Sequence, residues 1–169
     1  MSEPLLEEKT NQYIVALHEE REALALVAAD VSTGECVWAL FSGRDRLQAV
    51  CDQLFRLQPA ELVALGTMEG HAYLQDYARD RLTCCWTDYL PEDCLSAQAW
   101  LAQHFSAASL PTEPVVRDAV AFFLDYLHHM LKTALAHVNQ LQPLFGEKHL
   151  QLDATALRNL EITRNMKDG

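Results

Sequence analysis

Apolar residues cluster in short runs over the first forty positions and then change period. Asn11-Gln-Tyr-Ile-Val-Ala-Leu-His18, Ala23-Leu-Ala-Leu-Val-Ala-Ala-Asp30 and Cys36-Val-Trp-Ala-Leu-Phe41 are each of strand length. Charged Glu19-Glu-Arg-Glu22 and Ser32-Thr-Gly-Glu35 separate them as tight turns, with Asp30 able to set the second and Gly34 able to take a positive φ. Connections this short predict an antiparallel meander. From Arg44 to Gln58 the apolar positions Leu47, Val50, Cys51, Leu54 and Leu57 fall at helical spacing, and Pro59 ends the helix. Glu61-Leu-Val-Ala-Leu-Gly66 predicts a fourth strand, Met68 to Asp80 a second helix and Leu82-Thr-Cys-Cys-Trp-Thr87 a fifth strand. This alternation implies a crossover unit with parallel pairing.

The remainder reads as mainly helical. Cys94 to Phe105 forms one helix, and Pro114 sits in the first turn of the next. Val116, Ala119, Phe123, Leu127, Met130, Ala134, Val138 and Leu141 step by three or four, which predicts one long helix from Val115 to about Leu141. Asp153 caps a final helix in which Ile162 lies about 140° from Leu157. Two apolar faces suggest packing against elements beyond this chain. Residues 1–10 form a polar lead-in.

Composition narrows the function. The 169 residues carry 24 acidic and 13 basic side chains, a formal charge of −11. Gripping nucleic acid needs clustered Lys and Arg, and Arg44/Arg46 and Arg79/Arg81 are interleaved with Asp. An acidic surface suits solubility or a basic protein partner. The acidic start has no signal-peptide pattern, and no apolar run approaches the roughly 20 residues of a membrane helix. Five cysteines without a C-x-x-C pair fit reduced thiols and a cytoplasmic location.

No known catalytic constellation stands out. Phosphate-cradling glycine motifs and a nucleophile elbow are missing. The seven histidines have no metal-ligand spacing, although His71 might meet Cys84 and Cys85 across the sheet. Trp38, Trp86 and Trp100 read as core, as do Cys36, Cys51 and Cys84. Of the adjacent Phe122 and Phe123, only one fits a single helical stripe, which leaves the other to pack elsewhere or face a partner. The order of elements predicts an α/β, ribonuclease H-like fold: three antiparallel strands, then alternating helices and strands in one mixed sheet, then a long helix. Nucleases of that fold hold metal ions with carboxylates. The first strand, taken as Tyr13 to Leu17, has none, so Asp30, Asp52 and Glu69 are the residues left for such a site.

Several segments resemble the MutS family of mismatch-repair proteins, in collinear order. Leu5-Leu-Glu-Glu-Lys-Thr-Asn-Gln-Tyr-Ile14 is similar to the lead into its connector domain. Asp30-Val-Ser-Thr-Gly-Glu35, with Asp30, Thr33 and Gly34, resembles that domain's strand-turn-strand, and Pro59-Ala-Glu-Leu62 its entry to the next strand. Leu152-Asp-Ala-Thr-Ala-Leu-Arg-Asn-Leu-Glu-Ile-Thr163 resembles the start of the core domain through Asp153, Leu157, Arg158, Asn159, Leu160 and Glu161, followed by Asn165-Met-Lys-Asp-Gly169. The resemblance implies a lead-in at 1–10, a connector at 11–146 and a link with the first core helix at 147–169, all part of a longer protein. That protein is expected to recognise mismatched DNA as an ATP- and Mg-dependent dimer, with its mismatch-reading Phe-x-Glu ahead of this segment and its ATP site far after it. The segment itself is expected to be non-catalytic and without cofactor, joining other MutS domains and helping to dock MutL. Two other readings are a free-standing metal-dependent nuclease and a regulatory domain of unrelated origin.

Overall fold

In the computed structural model, described for residues 13–30, 32–131 and 138–144, a six-stranded mixed sheet is sandwiched between helices. The elements are β1 (Ile14–Glu20), β2 (Ala23–Asp30), β3 (Glu35–Ser42), α1 (Arg46–Leu57), β4 (Glu61–Leu65), α2 (His71–Tyr77), β5 (Cys85–Tyr89), α3 (Cys94–His104), α4 (Pro114–Tyr126) and β6 (Gln140–Pro143). The sheet order is β5-β4-β1-β2-β3-β6. β1, β2 and β3 pair antiparallel, while β4, β5 and β6 join parallel to their neighbours. The architecture is the expected ribonuclease H-like α/β arrangement.

Residue alternation divides the core into two layers. Val15, Leu17, Leu24, Leu26 and Ala28 face α1 and α2, where Val50, Cys51, Leu54 and Leu74 cover them. Ala16, Ala25, Val27 and Ala29 face α3 and α4. The alanines of β2, poor strand formers in isolation, make room for α4. That helix is buried almost all round, and Phe122 and Phe123 are both inside. The adjacent phenylalanines therefore need no external partner.

Three boundaries differ from the pattern-based expectation. β1 continues through Glu20 and turns in two residues, Arg21 and Glu22, both at positive φ. It thus carries Glu19 and Glu20, carboxylates that ending the strand at Leu17 omits. The second helix starts at His71 and closes in a π-helical turn over Ala78–Leu82, so β5 begins at Cys85 and Cys84 lies before it. The predicted long helix does not reach Leu141. α4 passes into a π-helical turn over Leu127–Leu131, and residues 140–143 form β6 where the long helix was expected to end. The spacing of Val138 and Leu141 mimics a helix, but pairing Leu141 with Cys36 satisfies the open edge of β3. Among the described residues no helix is long and apolar enough to cross a membrane.

The β2–β3 turn is built by Asp30. Its carbonyl accepts from the Thr33 and Gly34 amides at 3.2 and 2.8 Å. Its buried carboxylate Oδ1 accepts from the Ser32 amide at 3.0 Å and the Ser32 hydroxyl at 2.6 Å. Gly34 sits at φ 86°, where a side chain is strained. Replacing Asp30 with Ala is expected to cost about 1–3 kcal/mol, the penalty of leaving partly buried donors unmatched, read from the urea unfolding midpoint at constant m.

Candidate functional site

The residues offered for metal chemistry do not converge. β1 runs antiparallel to β2 and parallel to β4, with Ile14 opposite both Ala29 and Glu61. Asp30 therefore lies at the end of the sheet where β1 and β4 begin. Glu69 follows the carboxyl end of β4, a strand length of roughly 15–20 Å away. Asp52 is on α1, where its Oδ1 accepts from Gln48 at 3.2 Å. His71 does not meet the cysteines. Its Nε2 contacts Asp88 Oδ1 at 2.7 Å and its ring edge meets Trp86. Asp153, Leu157, Arg158, Asn159, Leu160 and Glu161 lie outside the described residues.

What the fold does assemble is a charged clamp at the carboxyl ends of β1 and β4. Arg46, at the start of α1, donates from Nε to Glu19 Oε2 at 2.6 Å and from a terminal nitrogen to Glu69 Oε1 at 2.7 Å. Its other terminal nitrogen reaches the Gly43 carbonyl at 3.0 Å, and the Glu69 amide donates to Glu19 Oε1 at 2.8 Å. Arg46 and Glu19 are buried, while Glu69 is exposed. Burial opposes the Arg46 charge, but the hydrogen bonds and charges of Glu19 and Glu69 outweigh it and hold its pKa above the ordinary value. One guanidinium thus ties β1, the β3–α1 turn and the β4–α2 loop together. The pattern Glu19 with Arg46 was visible only as a charged turn and a weak basic pair. Their 27-residue separation gives no local signal.

A second polar network joins the helical layer to the sheet. Asp125 accepts from Tyr89 Oη at 2.5 Å and Trp100 Nε1 at 3.0 Å. Glu61 Oε2 accepts from Thr87 at 2.8 Å and from the Tyr126 hydroxyl. Burial first, then the adjacent carboxylate, pushes the Tyr126 phenol up to about 12. His104 Nδ1 donates to the Val138 carbonyl at 2.7 Å, and its Nε2 lies 2.9 Å from His128 Nε2. Trp100 stacks on the His128 ring with centroids 3.6 Å apart. Trp86 and Trp100 are half-buried, not core like Trp38. Cys36 and Cys51 are buried, and desolvation lifts both thiols to about 12, which leaves them protonated and unreactive.

Two consequences are measurable. Arg46→Met strands a buried carboxylate, so a loss of about 3 kcal/mol in unfolding free energy is expected, whereas Glu69→Gln, on an exposed partner, costs far less. For His128, burial and then the nearby His104 lower the pKa below 6.5. Unfolding frees the imidazole to take a proton at that higher pH, so its contribution to stability is full above about 6.5 and falls as pH drops below it. It levels off beneath the folded pKa. Urea melts between pH 7.5 and 5 are expected to show a shallower slope in His128→Phe than in the unsubstituted chain.

The comparisons with known proteins agree with the fold. The family model described as MutS domain II matches residues 12–139. The DNA mismatch repair protein MutS of Symbiobacterium thermophilum is 28% identical over 171 residues, covering 98% of this chain and 20% of that protein. MutS of Syntrophomonas wolfei is 26% identical over 176 residues, covering 100% of this chain and 20% of its own length. MutS of Caldanaerobacter subterraneus subsp. tengcongensis is 23% identical over 168 residues, covering 96% and 19%. The chain therefore spans about a fifth of these curated relatives. The triplet Phe145-Gly146-Glu147 has the Phe-x-Glu form but lies after the matched residues, not ahead of this segment as the resemblance led one to expect of the mismatch-reading motif. With its ribonuclease H-like sheet and a family match over three quarters of its length, the chain belongs to the MutS domain II family.

Proposed function

We propose that this domain is the rigid connector of a bacterial mismatch-repair protein. In this role it links a mismatch-binding domain to a core domain, passes movement between them and helps to dock MutL. The dispersal of the acidic residues carries the non-catalytic part of this reading. Asp30 is consumed by its turn, Glu19 and Glu69 by Arg46, and Asp30 and Glu69 stand at opposite ends of the sheet. Membership of the MutS domain II family supports the rest. The clamp and the Asp125 network tie helices on both faces to the sheet, which suits a body that moves as a unit. The ATP, the Mg2+ and the mismatched DNA of the repair cycle belong, on this reading, to parts of the longer protein outside these residues. The working compartment is the cytoplasm, and the longer protein works as a dimer.

Binding of the chain to cognate MutL, followed by biolayer interferometry beside a nuclease assay in Mn2+, tests this. The expected outcome is saturable MutL binding and no cleavage of single- or double-stranded substrates. Metal-dependent cleavage lost in Asp30→Asn or Glu69→Gln overturns the connector reading in favour of a nuclease. Absence of MutL binding removes the docking role alone.

A further inference from the structure

At the carboxyl end of β1, on the face opposite the Arg46 clamp, three side chains from two elements point at one spot. They are His18 and Glu20 of β1 and Asp118 of α4. One ligand atom from each lies within 4.8 Å of the others. His18 is only 7% exposed. Its Nδ1 faces the Leu65 carbonyl at 2.9 Å, and a carbonyl oxygen only accepts, so Nδ1 carries the proton. That leaves Nε2 as the ring atom that faces Glu20 Oε2, 3.3 Å away. Asp118 brings a second carboxylate to the same spot. The three ligand atoms are close enough together to share one cation. The edge of Phe122, one helical turn beyond Asp118, packs at 5.4 Å between ring centroids and fixes the imidazole plane. Gln98 Nε2 donates to Asp118 Oδ1 at 2.8 Å and orients that carboxylate.

These are the parts of a metal site: a nitrogen ligand with its tautomer fixed by a backbone carbonyl, an oriented carboxylate and a second carboxylate open to solvent. We propose that His18 Nε2, Glu20 and Asp118 bind one divalent first-row transition cation, with Zn2+ the best match. An imidazole with two carboxylates suits Zn2+, whereas Mg2+ and Ca2+ prefer oxygen-only shells. Two carboxylates neutralise the ion, and its remaining positions are left to water. The site also lies where open α/β sheets gather ligands, outside the carboxyl ends of adjacent parallel strands. Its effect is to join β1 to α4 on one face as Arg46 joins β1 to α1 on the other.

The full chain titrated with Zn2+ by calorimetry, with the His18 ring nitrogens followed by NMR, decides the matter. The expected result is one ion per chain, a shift of the His18 Nε2 resonance, a higher Tm with Zn2+ and little response to Mg2+. Loss of a ligand should weaken binding by at least the roughly 10–100-fold that loss of an outer partner costs in other metal sites, so His18→Gln and Glu20→Gln are each expected to reduce Zn2+ affinity by that much or more. Glu20 is half exposed, so its variant reports on binding even if His18→Gln folds poorly. Unchanged affinity in Glu20→Gln and Asp118→Asn, or Zn2+ uptake that shifts His71 or the exposed thiols of Cys85 and Cys94 and leaves His18 unmoved, overturns the proposal. So does an imidazolium at His18 that persists at pH 8 with Zn2+ present.

Discussion

The fold depends on the fit of a large-residue helix against a small-residue sheet face. β1 and β2 present Ala16, Ala25 and Ala29 with Val27 toward α4, and α4 answers with Val116, Val120 and Phe123, all buried. Small side chains let the helix axis approach, and large ones on the helix fill the space left, as close packing requires. The opposite face is reversed in character, with Leu17, Leu24 and Leu26 meeting the shorter Val50, Cys51 and Ala49 as well as Leu54. Because side chains alternate along a strand, a one-residue slip of β2 would exchange the two faces and place leucines under α4. The alanine-rich strand is therefore a specification of register.

That packing determines where charge can survive. The centre of the sheet is apolar on both sides, so ionisable groups are confined to its ends, and each must be matched there. At one end Asp30 and Glu61 are matched by hydroxyls and amides. At the other, Glu19 is matched by a guanidinium that also holds Glu69. The carboxylates that the ribonuclease H-like fold could have offered to catalytic metals are thus partitioned by the strand directions and occupied by local partners. What these groups already do supports the proposed non-catalytic role.

Much of this was legible because the apolar period changes cleanly between strands and helices. The meander, the crossover and the Asp30–Gly34 turn each have a local cause within a few residues. The features that were not legible are those decided by distant partners. Leu141 lies at helical spacing from Val138, and only the unpaired edge of β3 makes it a strand residue. The flanking Gln140 and Gln142 do alternate with it, which is the local signal for a short edge strand. Glu19 reads as part of a charged turn, because nothing nearby announces Arg46. Trp100 alternates with apolar neighbours as a core residue does, yet its indole spans the boundary to reach Asp125 and stack on His128.

The same limit explains why a histidine-carboxylate cluster escapes inspection of spacing. His18 and Glu20 sit two apart on a strand and so share a face, but two ligands on one strand are unremarkable. Asp118 enters only when α4 is laid antiparallel along β1, which puts the first turns of the helix over the last residues of the strand. That direction follows from Tyr126, at the other end of α4, reaching Glu61 beside the start of β1. The helix direction, the strand register and the buried imidazole are then not independent. The small-residue face that admits α4 also brings Asp118 to His18, so the constraint that builds the core builds the cluster.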